Sequence, residues 1–226
     1  MGQWLAFLSD RDGPPRGLYR VRADGSGEPE LLTPPGLRSN VSSWSSQRVI
    51  AYLQVDDLES RQWDIWVLLP DGDPTPFFTS EATEQFPTFS PDGNWLAYTS
   101  NQSGRREVYV RPYPGPEPAT LISGDGGTNP AWSPDGRQIY YIQPAGVLMA
   151  VDVTPGDEFQ AGRAAPLIDP WTFTAGPVRP YDVFPDGSFV IAVADDDRSL
   201  LEQFGVTEFH VILNFFEVLK ARVGNE

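Results

Sequence analysis

The amino-acid sequence predicts an all-β fold assembled from repeated four-stranded units. Three observations carry that prediction. Two ten-residue stretches that begin at Phe89 and Trp132 nearly superimpose. Strand-like runs return at a near-constant interval along the chain. The composition is that of a loop-rich β protein, with 23 prolines, 21 glycines, 13 phenylalanines, 8 tyrosines and 7 tryptophans. Proline and glycine punctuate turns, and aromatic side chains suit a pleated, half-buried surface.

The best-defined copies are Phe89-Ser90-Pro91-Asp92-Gly93-Asn94-Trp95-Leu96-Ala97-Tyr98 and Trp132-Ser133-Pro134-Asp135-Gly136-Arg137-Gln138-Ile139-Tyr140-Tyr141. In each, proline presets φ at the second turn position, aspartate bonds the backbone ahead of it, and glycine takes the left-handed conformation. Aromatic and β-branched flanks complete a hairpin. A third copy, Val183-Phe184-Pro185-Asp186-Gly187-Ser188-Phe189-Val190-Ile191-Ala192, keeps the Pro-Asp-Gly. A fourth, Trp44-Ser45-Ser46-Gln47-Arg48-Val49-Ile50-Ala51-Tyr52, lacks the glycine and is one residue shorter. A fifth survives as Trp4-Leu5-Ala6-Phe7 and lacks its opening strand.

Each hairpin is followed, after a polar loop, by a further strand: Leu18–Val21, Ile65–Leu68, Val108–Arg111, Leu148–Val151 and, in the last copy, Phe209–Ile212. Gly/Pro-rich stretches such as Ala23–Gly27 and Pro70–Pro74 close the units. Aligning Ala6, Ala51, Ala97, Tyr140 and Ile191 gives spacings of 45, 46, 43 and 51 residues, the period of a four-stranded propeller blade. The prediction is therefore a β-propeller of about five blades in one domain. The repeats fall at about residues 1–32, 41–78, 85–122, 128–168 and 178–213, the first of them incomplete. After them Asn214 caps a predicted helix over 214–223, with Phe215, Val218 and Leu219 on one face.

These residues resemble the TolB-like, WD-repeat-like propeller family, whose signature is an aromatic-Ser-Pro-Asp-Gly turn followed by a Leu-Ala-Tyr-type strand. A narrower resemblance lies in Arg105–Gly115 and Val211–Lys220, which look like the C-terminal propellers of bacterial serine/threonine protein kinases. In that group the propeller follows a kinase domain and usually a membrane span, so the resemblance implies the sensor half of a larger protein. It also implies six or more blades and closure by an N-terminal strand, which Met1–Trp4 is too short to supply. Five repeats then suggest a truncated ring whose open blade edges favour oligomers.

Composition and motifs exclude several chemistries. Against 31 acidic residues stand 16 basic ones, a formal charge of −15 that repels phosphate backbones and argues against nucleic acid. The absence of cysteine excludes disulfides and thiolate metal sites and leaves the compartment open. No run is long and apolar enough to insert in a membrane, no basic n-region marks a signal peptide, and Ala6 breaks a myristoylation pattern. The chain as given is expected to be soluble, and extracytoplasmic if it is the sensor half of a membrane-bound kinase.

No residue is assigned as catalytic, cofactor-binding or metal-binding. The one histidine, His210, stands where Tyr19, Trp66, Tyr109 and Met149 stand in other units, and reads as a structural strand residue. No Gly-x-Ser-x-Gly elbow and no kinase motif is present, and the one lysine, Lys220, falls in the predicted helix. Asp71-Gly72-Asp73, Asp56-Asp57 and Asp195-Asp196-Asp197 lack calcium-loop spacing and read as solvated turns. Asp92, Asp135 and Asp186 are explained by their turns. Trp44, Trp63, Trp95 and Trp171 are candidate recognition aromatics, read first as packing between blades.

The expected function is a non-catalytic module that binds a protein or peptide, or alternatively a small ligand. The competing expectations are a substrate-filtering propeller of a prolyl-oligopeptidase-type hydrolase and a TolB-like periplasmic scaffold.

Overall fold

The computed structural model describes residues 3–13, 16–33, 39–55, 62–70, 72–78, 80–115, 118–156, 159–170 and 179–192. Among them every regular element is a β-strand. The predicted helix over 214–223, the strand Phe209–Ile212 and the residues His210, Lys220, Trp171, Asp56, Asp57, Asp71 and Asp195–Asp197 lie outside the described residues. The chain divides into two compact units, residues 1–41 with 198–226, and residues 42–197.

In the first unit, β1 (Trp4–Ser9), β2 (Gly17–Arg22) and β3 (Glu30–Leu31) form an antiparallel sheet in that order. Trp4 lies opposite Arg22 and Ser9 opposite Gly17. Leu18, Tyr19 and Val21 of β2 are buried, and Phe7 stacks on Tyr19 with ring centroids 5.9 Å apart. Trp4 is flanked by two guanidinium groups, Arg20 and Arg22, at 4.7 and 4.9 Å from its ring.

Four further sheets follow among the described residues. The first is β4 (Ser39–Trp44), β5 (Ile50–Gln54), β6 (Asp64–Leu68) and β7 (Thr75–Phe78). The next is β8 (Glu84–Phe89), β9 (Trp95–Ser100), β10 (Glu107–Pro112) and β11 (Thr120–Leu121). The third joins β12 (Thr128–Trp132), β13 (Gln138–Ile142) and β14 (Leu148–Thr154) to both β15 (Gln160–Ala161) and β16 (Ala165–Ile168). It thus has five strands where the repeat predicts four, because the seven-residue β14 is long enough to pair with two short outer strands. β17 (Tyr181–Val183) and β18 (Phe189–Ile191) form a final two-stranded ladder.

The middle strands read as continuous apolar runs because both of their faces are covered. In β9, Leu96 and Tyr98 enter a core with Val49, Ala51, Leu53, Ile65 and Val67 of the preceding sheet. Ala97, pointing the other way, joins a core with Trp132, Ile139, Tyr141, Met149 and Val151 of the following one. Aromatic pairs seal these seams, such as Phe77 with Tyr113 at 5.5 Å and Trp95 with Phe159 at 4.8 Å. Single hydrogen bonds also stitch the first strands of successive sheets together. Phe89 N donates to Ser43 Oγ (3.0 Å), Trp132 Nε1 to the Thr88 carbonyl (3.1 Å) and the Tyr181 hydroxyl to the Asn129 carbonyl (2.7 Å).

β8 and β12 each carry a register shift, and at corresponding places Phe86 (φ 53°) and Asn129 (φ 57°) take the left-handed conformation. The extra residue lets Pro87 and Pro130, which cannot donate to a ladder, sit where pairing is interrupted.

Candidate functional site

Each complete sheet of the second unit has a turn end, where the hairpin of its first two strands closes, and an opposite loop end. At the turn end, Gly93 N donates to the Ser90 carbonyl at 2.9 Å. Ser90 Oγ accepts from Trp95 N at 3.0 Å and donates to Asp92 at 2.5 Å, and Asp92 accepts from Asn94 N at 3.1 Å. Ser133, Asp135 and Gly136 repeat the set, with Gln138 N on Ser133 Oγ at 2.8 Å and Arg137 N on Asp135 at 3.0 Å. In the third copy phenylalanine replaces the serine, and Asp186 is held by Ser188 instead.

These bonds keep all three carboxyls below the usual range. For Asp92 burial pushes upward, but the bonds from Ser90 and Asn94 outweigh it. For Asp135 and Asp186 the serine hydroxyl is the largest cause. The three aspartates are therefore committed to their own turns. The shortened copy keeps the same geometry without glycine, because Arg48 itself adopts φ 65° and donates its N–H to the Ser45 carbonyl at 3.0 Å.

The loop end carries the less ordinary chemistry. Glu107 opens β10 and is buried, and its carboxylate gathers the loop between β11 and β12. Gly126 N reaches its two oxygens at 3.1 and 3.0 Å, the Ser123 hydroxyl donates to it, and Arg105 Nε lies 2.5 Å away. Ser123 Oγ also accepts from Val108 N at 2.7 Å. Arg105 donates in addition to the Gly124 carbonyl, yet its side chain stays 58% exposed. Ser103, Gly104, Arg105, Glu107 and Leu121 line a shallow cleft of about 420 Å³. Leu121 is half exposed there, so the cleft offers an apolar contact beside a guanidinium group.

One sheet earlier, Glu84 opens β8 and is completely buried. Its Oε1 accepts from Ser80 Oγ (2.9 Å) and Ser100 Oγ (3.1 Å), while its Oε2 has no hydrogen-bond partner among the described residues. Burial, aided by the charge of Asp64, pushes this carboxyl up to about 7, against the pull of the two serines and Arg111.

The described residues among the sequence's candidates lie apart from one another. Asp73 is exposed in the loop after β6. Trp63 and Trp95 are half-buried and pack against the two cores, and Trp44 is half-buried at the end of β4. Among the described residues no group of three or more His, Asp or Glu side chains is placed to hold a metal ion. No described helix is long and apolar enough to cross a membrane. Sequence reasoning missed Glu84, Glu107 and the Arg105 cleft. The signal available for Glu107 was positional, since Asp64 and Glu107 open equivalent strands of their sheets.

No protein-family model matches the sequence. Solved structures do resemble it. A TolB-type protein from Agrobacterium tumefaciens has a TM-score of 0.60 at 19% identity, covering 83% of this chain and 69% of that one. TolB from Acinetobacter baumannii has a TM-score of 0.64 at 18% identity, covering 84% of this chain and 46% of that protein, so the chain spans under half its length. A puromycin-hydrolyzing peptidase from Mycobacterium tuberculosis has a TM-score of 0.54 at 18% identity, covering 84% of this chain and 35% of that one. At such identities the likeness speaks to architecture alone. With the repeat and the sheet topology, it establishes that the chain has the β-propeller fold seen in TolB proteins.

Proposed function

We propose that the chain is a non-catalytic propeller that binds a protein or peptide, and that it forms the sensor part of a bacterial serine/threonine protein kinase or a related sensor protein. One observation carries the binding reading. The loop-end cleft sets exposed Leu121 beside the half-exposed Arg105, which Glu107 orients from a buried position. A guanidinium next to an apolar side chain suits recognition of a peptide that carries a carboxylate. The kinase context rests on Arg105–Gly115 and Val211–Lys220 in the sequence.

A photo-crosslinking residue introduced at Leu121 in intact cells tests the binding reading. It should trap one polypeptide of defined mass, and the same group placed at Asp24 should not. Equal labelling from both positions refutes a binding role for the cleft. An in-frame kinase domain encoded upstream supports the second half of the proposal, and a different upstream frame overturns it.

A further inference from the structure

The buried carboxyl of Glu84 is joined by two routes to the rim of the Arg105 cleft. The first runs through Ser100, whose Oγ donates to Glu84 Oε1 at 3.1 Å and accepts from Gln102 N at 3.2 Å. The second runs along the crossover between β7 and β8. Ser80 Oγ donates to the same carboxyl oxygen at 2.9 Å and accepts from Ala82 N at 2.9 Å, and Thr83 N donates to Asn101 Oδ1 at 2.8 Å. The Asn101 carbonyl accepts from Gly104 N at 2.9 Å to close its own turn, and Ser103 Oγ donates to the Arg105 carbonyl at 3.2 Å. Ser103, Gly104 and Arg105 line the cleft.

Both serines use Oε1, and Oε2 is buried without a hydrogen-bond partner among the described residues. Neutral, the carboxyl tolerates that bare oxygen. Ionised, it holds a charge away from water with half of its acceptor capacity unmet, which is costly. Glu81 and residues 101–105 are exposed, so the crossover or the turn need only swing outward for the charge to reach solvent. Burial is the largest influence on the group and opposes its ionisation; Asp64 of β6 adds to it, and Arg111 of β10 pulls the other way. Tyr98 of β9 is itself pushed up by burial and stays neutral here. Glu107 of β10 turns to Ser123 and Gly126, while β5 and β12, also packed on β8, carry no charged side chain.

We infer that Glu84 is a proton-operated latch on the cleft: neutral, it holds residues 80–84 and the turn 101–104 closed, and ionised it releases both. The closed state binds the proton more tightly, so it is favoured at low pH and lost as the pH rises towards about 7. The latch does not require the cleft to bind anything. Its regulatory meaning, weaker hold on an occupant as pH rises, rests on the binding reading given above.

Hydrogen–deuterium exchange of the full chain, read by mass spectrometry and corrected for the intrinsic pH dependence of amide exchange, tests the latch without any ligand. Between about pH 5.5 and 8.5 the protection of residues 80–84 and 101–106 should fall by at least about tenfold, while that of 138–142 in β13 changes by less than about twofold. Glu84→Gln should abolish the fall. Should that variant fail to fold, Ser80→Ala decides: loss of a donor to the carboxylate should move the midpoint of the fall up by about 0.5 pH unit. No fall, a fall that survives Glu84→Gln, or a midpoint that ignores Ser80→Ala overturns the inference. A fall shared by 138–142 also overturns it, as global unfolding, and a fall confined to one of the two segments overturns the link to the cleft. None of these outcomes touches the crosslinking test at Leu121, which can fail while the latch holds.

Discussion

Replacing Glu84 by glutamine should flatten the dependence of stability on pH. The side chain is 0% exposed, two serine hydroxyls contact only one of its oxygens, and burial lifts its carboxyl from 4.5 to about 7. Because the folded-state value lies above the unfolded one, the folded protein binds the proton more tightly. The stabilisation by protonated Glu84 is thus complete below about pH 4.5 and is lost as the pH rises through about 7. A gap of that size corresponds to about 3 kcal/mol, a ceiling that water penetration lowers. Glutamine is neutral at every pH and still accepts from Ser80 and Ser100. At pH 4.5 the variant should match the native protein within about 0.5 kcal/mol. At pH 8.5 it should be more stable by up to about 3 kcal/mol, or about 6–10 °C in Tm for a chain of this size. Circular-dichroism melts of both proteins across that range read the difference directly. Parallel curves for the two proteins would refute the reasoning.

Other substitutions probe the turns and the clamp. Gly93→Ala should cost about 1–2 kcal/mol in urea unfolding, because φ is +79° and the added Cβ would meet Ser46 Oγ at 3.0 Å. Gly187→Ala, where nothing lies within 4 Å, should cost about 1 kcal/mol from backbone strain alone. Arg48→Gly should stabilise by about 0.5–1 kcal/mol in the same assay, since it relieves an exposed arginine at φ 65°. Ser123→Ala should destabilise by about 2 kcal/mol, because Val108 N and the Glu107 carboxylate both lose a buried partner. Faster amide exchange at Val108 should accompany that loss.

The hairpins were legible because their turns carry local chemistry. Ser-Pro-Asp-Gly encodes its own hydrogen bonds, so β8–β9 and β12–β13 could be placed from the sequence. The same logic could not see that Arg48 would take the left-handed conformation, since nothing local favours it there. Phe86 and Asn129 are similar cases, imposed by the strand register around Pro87 and Pro130. β16 was hidden because Ala165–Ile168 earns its place only by pairing with the far-extended β14. Glu84 was the largest omission. Thr83-Glu84-Gln85 reads as a solvated loop, and only the arrival of Ser80 and Ser100 makes a buried carboxyl of it.

The three bonds that stitch the first strands together share a direction. In the latter two the later sheet brings a side-chain donor to a backbone carbonyl of the earlier one, and in the first it brings a backbone donor to a serine. In these three the acceptor belongs to the earlier part of the chain, whereas at the turn end Gln47 Nε2 donates forwards to Asn94 Oδ1 at 3.4 Å. Water satisfies the waiting donors and acceptors alike until the next sheet arrives, so each sheet can complete its own ladder first. Because these bonds join only neighbouring sheets, the seams can close one sheet at a time.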